Sequence, residues 1–337
     1  MYFNKLSIFI FILLICSCGK QGSSGGNSNA SSSNVVSTYS ILNSDDNIAQ
    51  TIKNSHNPYY VITNRAAATL SVCAMDTNGN LGNCVNTQKP NGGSTADAVG
   101  FSNNYAYITR HGSVTGTVGA ITICSYTAST GTFYTCFDSG AANLVGPEGL
   151  KIFNNSAYVI DSNSNAVKIC PNATSGSLAS CYDSGISSGL LNYPTNITFK
   201  GLKAYIVNFL GNSILLCDYN SATGGLGNCT NLSFNFNWPH SISFNGSFAY
   251  VSATSSNIIA MCPLNADGTL GTCSNSGATN LNAPRGNIQF VNGNAYVAST
   301  NSNIIYKCPV NSNGTLGNCV DSGASGISTP FSVDKIP

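Results

Sequence analysis

Charge is scarce in this sequence of 337 residues, because only 7% of the side chains are charged and Glu148 is the only glutamate. The 13 basic and 12 acidic residues give a formal net charge of +1 and form no basic run. Neutralising a row of phosphates requires clustered Lys and Arg, so we expect no nucleic acid partner. Solubility must instead come from Asn, Ser, Thr and Gly.

The sequence also lacks an apolar run long enough to form a membrane-spanning helix. The stretch from Leu6 to Ile15 follows Lys5 and has the length of a signal-peptide core. It is followed by Cys16-Ser17-Cys18, which resembles a bacterial lipobox with its lipidated cysteine at Cys18. Cys16 suits the role poorly because bulky Ile15 precedes it. An ordinary signal peptide with two incidental cysteines is the alternative.

These features divide the chain into four parts. Residues 1–17 are predicted to be a lipoprotein signal peptide, and residues 18–34 a lipidated cysteine with a flexible, Ser- and Gly-rich tether. Residues 35–57 form an N-terminal segment that could contain a strand, and residues 58–337 form one folded domain. Lys20 stands where an aspartate is associated with inner-membrane retention, so we expect the lipid to anchor the protein at the bacterial outer membrane, on its periplasmic or its surface face. We also expect a monomer.

Twelve of the 14 cysteines follow the lipobox and form six local pairs. Their spacings lack the CxxC motifs and histidines of a zinc site, and the export signal indicates an oxidising compartment. We therefore predict six disulfides and no bound metal or cofactor. The predicted pairs are Cys73 with Cys84, Cys124 with Cys136, Cys170 with Cys181, Cys217 with Cys229, Cys262 with Cys273 and Cys308 with Cys319.

The residues midway between paired cysteines indicate hairpins. Asn313 and Gly314 lie midway between the last pair, and this dipeptide favours a two-residue type I′ turn. Residues facing each other across such a hairpin are close enough for a disulfide. The same construction reaches Asn78-Gly79, Ser175-Gly176 and Asp267-Gly268, and it reaches Gly131 and Gly224 in two units predicted to have three-residue loops.

A repeat of about 46 residues runs through the domain, as in propellers and solenoids. Each copy contains four short strands, named A to D from the central channel outwards, and shows no helical periodicity. This pattern predicts an all-β propeller of four-stranded antiparallel blades. The segment from Pro330 matches a strand A without its B, C and D, whereas the first unit starts at strand B. The C-terminal strand would complete the first blade and give six blades. Seven blades remain possible if residues 35–57 supply a further strand.

The segments AYVAST, AYVSAT and YYVITN, each followed by an apolar strand and a DGTLG-type hairpin, resemble the YVTN and NHL-type propellers. They are also similar to lactonase-like propellers related to 6-phosphogluconolactonase. The resemblance covers nearly all of residues 58–337 and implies the fold. These motifs define blades and not catalytic chemistry, so no activity is transferred from the family.

The scarce charged residues recur at loops of one face. The residues that follow the opening position of strand A include Asp97, Glu148, His240 and Arg285. We predict that Glu148, His240 and Arg285 converge on a cavity at the channel mouth, with a longer loop at residues 110–119 as a possible lid. The strand B to C loops and the sole tryptophan add Arg65, Arg110, His111, Asp161, Asn208 and Trp238.

Two classes of function fit these residues. We favour a binding module that presents the mouth to a protein, a glycan or a small molecule. The alternative is a lactonase or lyase in which Glu148 or His240 acts as general base and Arg285 or Arg110 stabilises a carboxylate or an enolate. A metal held by Glu148, Asp161 and Asn208 is a weaker alternative.

Overall fold

The computed structural model describes residues 58–87, 95–112, 119–178 and 181–337. The signal peptide, the tether, the N-terminal segment and most of the possible lid lie outside these residues. The strands are β1 (Tyr59–Asn64), β2 (Thr69–Met75), β3 (Leu81–Asn86), β4 (Val99–Ser102), β5 (Tyr105–Arg110), β6 (Ala120–Thr127), β7 (Thr132–Asp138), β8 (Pro147–Phe153), β9 (Ser156–Asp161), β10 (Ala166–Pro171), β11 (Tyr182–Asp183), β12 (Pro194–Lys200), β13 (Lys203–Asn208), β14 (Ser213–Tyr219), β15 (Leu226–Ser233), β16 (Pro239–Asn245), β17 (Phe248–Ala253), β18 (Ile258–Pro263), β19 (Ser274–Asn275), β20 (Pro284–Val291), β21 (Asn294–Ser299), β22 (Ile304–Pro309), β23 (Val320–Asp321) and β24 (Pro330–Lys335).

These strands form six antiparallel sheets of four strands, which are the six blades of a β-propeller. Blade 1 has the order β24-β1-β2-β3, and blades 2 to 6 are formed by successive groups of four strands from β4–β7 to β20–β23. Val61 of β1 faces Asp334 of β24, so the C-terminal strand completes the first blade. The predictions of six blades and of this closure are confirmed. Within the described residues the helical structure consists of two 3₁₀ turns, Ser162–Ser164 and Thr300–Ser302.

The apolar core lies between neighbouring blades. Strand B of every blade is buried almost throughout, because its second and fourth side chains face one neighbour and its third faces the other. Tyr107 of blade 2, for example, packs in one cluster with Leu150 and Val159 of blade 3. No helix in the described part of the chain is long and apolar enough to cross a membrane.

All six predicted disulfides are present, one in each blade. They join Cys73 to Cys84, Cys124 to Cys136, Cys170 to Cys181, Cys217 to Cys229, Cys262 to Cys273 and Cys308 to Cys319. The Cα–Cα distances lie between 4.0 Å and 4.3 Å.

The second cysteine of each pair shows which strands the bridges connect. Cys84, Cys136 and Cys229 lie within the outermost strand of their blades, and Cys124 and Cys136 face each other directly in the β6–β7 ladder. In blades 3, 5 and 6 the outermost strand has two residues, and the second cysteine lies just before it. These cysteines are Cys181, Cys273 and Cys319. The bridges therefore close the outer hairpins, as the turn residues predicted.

The type I′ turns were a wrong prediction. In blade 6, Asn311 N–H donates to Thr315 O at 2.8 Å and Gly314 N–H donates to Asn311 O at 2.9 Å. Only the glycine of the Asn313-Gly314 pair has a positive φ, +86°, whereas a type I′ turn requires two such residues. The loop therefore has three residues, a type I turn followed by a left-handed glycine. Gly79 and Gly268 occupy the same position in blades 1 and 5.

The repeated tyrosines connect the hairpins to the next blade. Tyr158, Tyr205, Tyr250 and Tyr296 are buried, and each hydroxyl donates to the carbonyl of the hairpin glycine in the following blade at 2.5–2.7 Å. These bonds satisfy both a buried hydroxyl and a turn carbonyl. These tyrosines therefore pack between neighbouring blades.

Candidate functional site

The mouth of the propeller, where the innermost strands begin, has a repeated backbone structure. The residue before the strand-A proline is left-handed in four blades, namely Tyr193, Trp238, Ala283 and Thr329. Its N–H donates to the side-chain oxygen of an asparagine in the preceding blade, for example Trp238 to Asn212 at 2.9 Å. The other three bonds, to Asn165, Asn257 and Asn303, are 2.6–2.8 Å long. The loops that carry the site are thus fixed to their neighbours.

The structure brings Glu148, His240 and Arg285 together around one cavity at this mouth. The cavity has a volume of about 320 Å³, at the small end of the range of ligand pockets. These three residues follow the first residue of β8, β16 and β20, which are equivalent positions around the ring. The wall is completed by Arg65, Tyr193, Thr195, Phe209 and Leu210.

Glu148 is held in place by three neighbouring side chains. His240 Nε2 lies 3.1 Å from Glu148 Oε1, Arg65 Nη1 lies 3.7 Å from the same oxygen, and Ser162 Oγ donates to Oε2 at 3.1 Å. Burial raises the pKa of Glu148, but the hydrogen bond from His240 and the positive charge of Arg65 outweigh it, so the pKa falls below its ordinary value. Glu148 is therefore a fixed anion and a weak base.

His240 is a neutral donor in this pair. Burial lowers the pKa of its imidazole, although the hydrogen bond to Glu148 opposes that shift. A carboxylate only accepts hydrogen bonds, so Nε2 carries the proton, and Nδ1 faces the Gly286 N–H at 3.5 Å. Both ring nitrogens are engaged inside the protein. The predicted role of His240 or Glu148 as general base therefore does not match the geometry.

Asp97 lies beneath the cavity and behaves differently from Glu148. Its side chain is buried, and the groups that act on its carboxylate include Arg65 and the side chain of Thr95. Burial raises the pKa of Asp97 to about 7, although Arg65, whose Nε lies 3.4 Å from Oδ1, opposes the shift. Asp97 also borders an inner void of about 10 Å³, the size of one water molecule.

Arg285 is the cation that this network leaves without an anion. Its Nε has no hydrogen-bond partner, and no acidic group lies within ion-pair distance of its guanidinium among the described residues. The guanidinium lies over the Phe331 ring, with Cζ 5.4 Å from the centroid, and Arg65 lies over the same ring at 4.6 Å. Burial and the nearby charge of Arg65 lower the pKa of Arg285 without discharging it.

Aromatic side chains form one side of the mouth. The Phe209 ring lies between Tyr193 and Trp238, with centroid distances of 6.0 Å and 5.3 Å, and it meets the edge of His240 at 5.9 Å. Trp238 is the sole tryptophan, and 45% of its surface is exposed. Sequence reasoning found Trp238 but missed Tyr193, Phe209 and Leu210. The signal was present for Tyr193, because it precedes Pro194 as Trp238 precedes Pro239.

The other predicted residues lie around the cavity without lining it. His111 Nε2 lies 3.5 Å from the Tyr193 hydroxyl, and Arg110 is buried at the end of β5. Asp161 accepts hydrogen bonds from the Val145 and Gly146 N–H groups and so fixes a loop.

The predicted metal alternative is not supported by the placement of its ligands. Asn208, at the end of β13, accepts from Asn192 N–H and donates to Leu190 O, so its amide is used to hold the segment that precedes β12. In the described part of the chain, no group of three or more His, Cys, Asp or Glu side chains is placed to hold a metal ion. Asp161 and Asn208 therefore support the loops of the mouth.

The sequence itself has no match among known protein-family models or curated proteins. Similarity is found among solved structures. The periplasmic gluconolactonase of Pseudomonas aeruginosa superposes with a TM-score of 0.60 at 13% identity, covering 83% of this chain and 99% of that one. A putative 6-phosphogluconolactonase from Bacteroides fragilis gives a TM-score of 0.57 at 11% identity, covering 83% and 98%.

A structure of the nidogen/laminin complex matches equally well, with a TM-score of 0.62, 11% identity and coverage of 83% and 98%. The structural neighbours thus include lactonase-like propellers and a propeller from a protein–protein complex. At these identities the similarity establishes the fold alone. Function must be argued from the mouth.

Proposed function

We propose that this protein is an exported, lipid-anchored binding module whose ligand is a small anion at the mouth of the propeller. The observation that carries the proposal is the Arg285 guanidinium, which lines the cavity with no acidic partner among the described residues. Arg65 has two acidic neighbours, Asp97 and Glu148, so its charge is already balanced. The fork of an arginine side chain matches a carboxylate, which can accept two parallel hydrogen bonds from it.

Thermal unfolding of the detergent-solubilised full-length protein tests this proposal. Acetate, added at constant ionic strength, should raise the Tm because it binds only the folded state. Arg285→Ala should abolish the shift, and Arg285→Lys should keep part of it. Lys200→Ala removes a cation that lies over Phe244 outside the mouth and should respond like the wild type. Equal shifts in wild type and Arg285→Ala would refute the anion site.

Hydrolysis of a lactone is the second candidate function, favoured by one observation. Asp97 has a pKa of about 7, near the value that suits a general base, whereas Glu148 and His240 are engaged with each other. Two of the similar structures are described as gluconolactonases or putative relatives. Acid release from gluconolactone above the spontaneous rate, lost in Asp97→Asn, would favour this candidate over binding alone.

The membrane anchor is proposed from the sequence around Cys18. Cys18→Ser should release the protein from membranes, whereas Cys16→Ser should leave it anchored, because only Cys18 has a small residue immediately before it. Detergent phase partition measures the difference. Retention of Cys18→Ser protein in the detergent phase would show that the lipobox assignment is wrong.

A further inference from the structure

The mouth contains two large aromatic residues in a backbone conformation that disfavours them. Tyr193 has φ +49° and Trp238 has φ +56°, both in the left-handed region. A side chain with a Cβ is disfavoured there, and a bulky residue is a clear outlier. The conformation is imposed by the blade, since each residue's N–H donates to an asparagine and its carbonyl accepts from a residue of the next loop, Phe209 or Thr254.

The equivalent positions elsewhere in the ring have smaller residues. Ala283 in blade 6 and Thr329 in blade 1 have φ +54° and +51° and make the same two backbone contacts. The fold therefore does not need an aromatic residue at this position. Trp238 gains little from burial either, because 45% of it remains exposed. A strained, exposed aromatic residue that the scaffold does not require indicates a role in binding.

Tyr193 lines the cavity, and Trp238 lies outside the lining, beside Phe209. Phe209, which lines the cavity, contacts both rings, and exposed Leu210 follows it in the chain. Arg285 lines the same cavity from blade 6. The mouth thus has an apolar platform, formed by Tyr193, Phe209 and Trp238, and a cation without an acidic partner in the described residues.

We propose that the ligand is a carboxylate attached to a ring, with the carboxylate on Arg285 and the apolar face of the ring on the platform. The inference rests on the anion site proposed above and adds the class of ligand. Aromatic side chains present flat, rigid apolar surfaces that suit the face of a sugar or aryl ring. The exposed edge of Trp238 leaves room for a larger molecule to continue outside the cavity.

Three carboxylates distinguish the two parts of the site in equilibrium binding to the full-length protein: acetate without a ring, glucuronate with a sugar ring and benzoate with an aryl ring. At least one ring acid should bind about tenfold more tightly than acetate. The tighter of the two identifies the kind of ring. If neither ring acid binds more tightly than acetate, the platform proposal is wrong.

Trp238→Gly tests the platform without straining the backbone, because glycine adopts the left-handed conformation readily. It should reduce the preference for the ring acid over acetate about fivefold to tenfold and leave the affinity for acetate unchanged. The Tm should stay the same or rise. Trp238→Phe should restore most of the preference. Ala283→Gly, at the equivalent backbone position in blade 6, is the matched control and should change neither affinity.

The outcomes separate this inference from the anion site. One outcome is that all three acids bind in a way that depends on Arg285 but does not change in Trp238→Gly or Phe209→Leu. That result would leave the anion site in place and overturn the platform. Failure of all three acids to bind would overturn both. A large fall in Tm for Trp238→Gly would show that Trp238 is a packing residue and would also overturn the inference.

Discussion

Blade 1 meets its two neighbours in different ways. At the joint with blade 6, the Tyr296 hydroxyl donates to Gly79 O at 2.5 Å, and Leu81 N–H donates to Ser322 O at 2.7 Å. Lys307 Nζ adds a hydrogen bond to Asn80 Oδ1 at 2.7 Å. This joint is held mainly by hydrogen bonds to the backbone of the outer hairpin.

The joint between blades 1 and 2 lacks these contacts in the described residues. Val61, which occupies the strand position of Tyr158 and Tyr296, has no hydroxyl to reach the blade 2 hairpin, and Gly131 of that hairpin lies against the Tyr59 ring. A groove of about 310 Å³, lined in part by Val85 and Phe133, separates the outer strands. The polar contacts lie at the mouth instead, where Thr63 Oγ1 donates to Asp97 O at 3.0 Å and Arg65 Nε lies 3.4 Å from Asp97 Oδ1.

The difference connects ring closure with the candidate site. Backbone hydrogen bonds at the joint of blades 6 and 1 do not titrate near neutral pH. The joint of blades 1 and 2 depends on Arg65 and Asp97, two charged groups that also surround the cavity. We expect this joint to be sensitive to pH and to charge changes at the mouth, and the other joint to be insensitive to both.

Asp97→Asn should produce the largest change in this comparison. The pKa of Asp97 is raised in the folded protein, to about 7, so the folded state binds a proton more tightly than the unfolded state. Its contribution to stability is fully present below the ordinary pKa near 4 and is lost as the pH rises through 7. Relative to the wild type, the variant should gain on the order of 2 kcal/mol between pH 5 and pH 8.

Urea unfolding of both proteins at the two pH values measures this difference. Asp183→Asn removes an exposed carboxylate of blade 3 that pairs with Lys168, and serves as the control. Its difference from the wild type should be the same at pH 5 and pH 8. If Asp97→Asn behaves like this control, Asp97 is ionised throughout the range and the joint of blades 1 and 2 has no special pH dependence.

Much of the fold could be predicted because local signals repeat. Each cysteine pair encloses a hairpin, and the unpaired strand A at Pro330 shows how the ring closes. The turn type could not be predicted in the same way. A two-residue type I′ loop and a three-residue loop both place glycine in a left-handed position before the returning strand, so Gly314 alone does not distinguish them.

The candidate site could be predicted in position but not in chemistry. Glu148, His240 and Arg285 meet because equivalent strand positions surround one axis, which the repeat alone defines. Which cation remains unbalanced depends on Arg65, a blade 1 residue that reaches Asp97 and Glu148 of other blades. Such contacts between distant residues are set by side-chain geometry, and the sequence pattern does not contain them.

A smaller effect tests the joint of blades 6 and 1 without changing any charge. Tyr296→Phe removes the hydroxyl that satisfies Gly79 O, and it should lower the free energy of unfolding by about 1 kcal/mol because a buried turn carbonyl loses its donor. The ring of Tyr60 stacks on Tyr296 in the same joint, and its buried hydroxyl has no partner in the described residues, so Tyr60→Phe should leave the free energy of unfolding the same or raise it by up to about 1 kcal/mol.

Urea unfolding at a single pH compares the two variants, and Tyr250→Phe is the matched control. Its hydroxyl donates to Gly314 O at 2.6 Å between blades 5 and 6, so its loss should cost as much as that of Tyr296. This account of the joint would fail if Tyr60→Phe were as destabilising as the other two variants. That result would mean that the Tyr60 hydroxyl is hydrogen-bonded in solution.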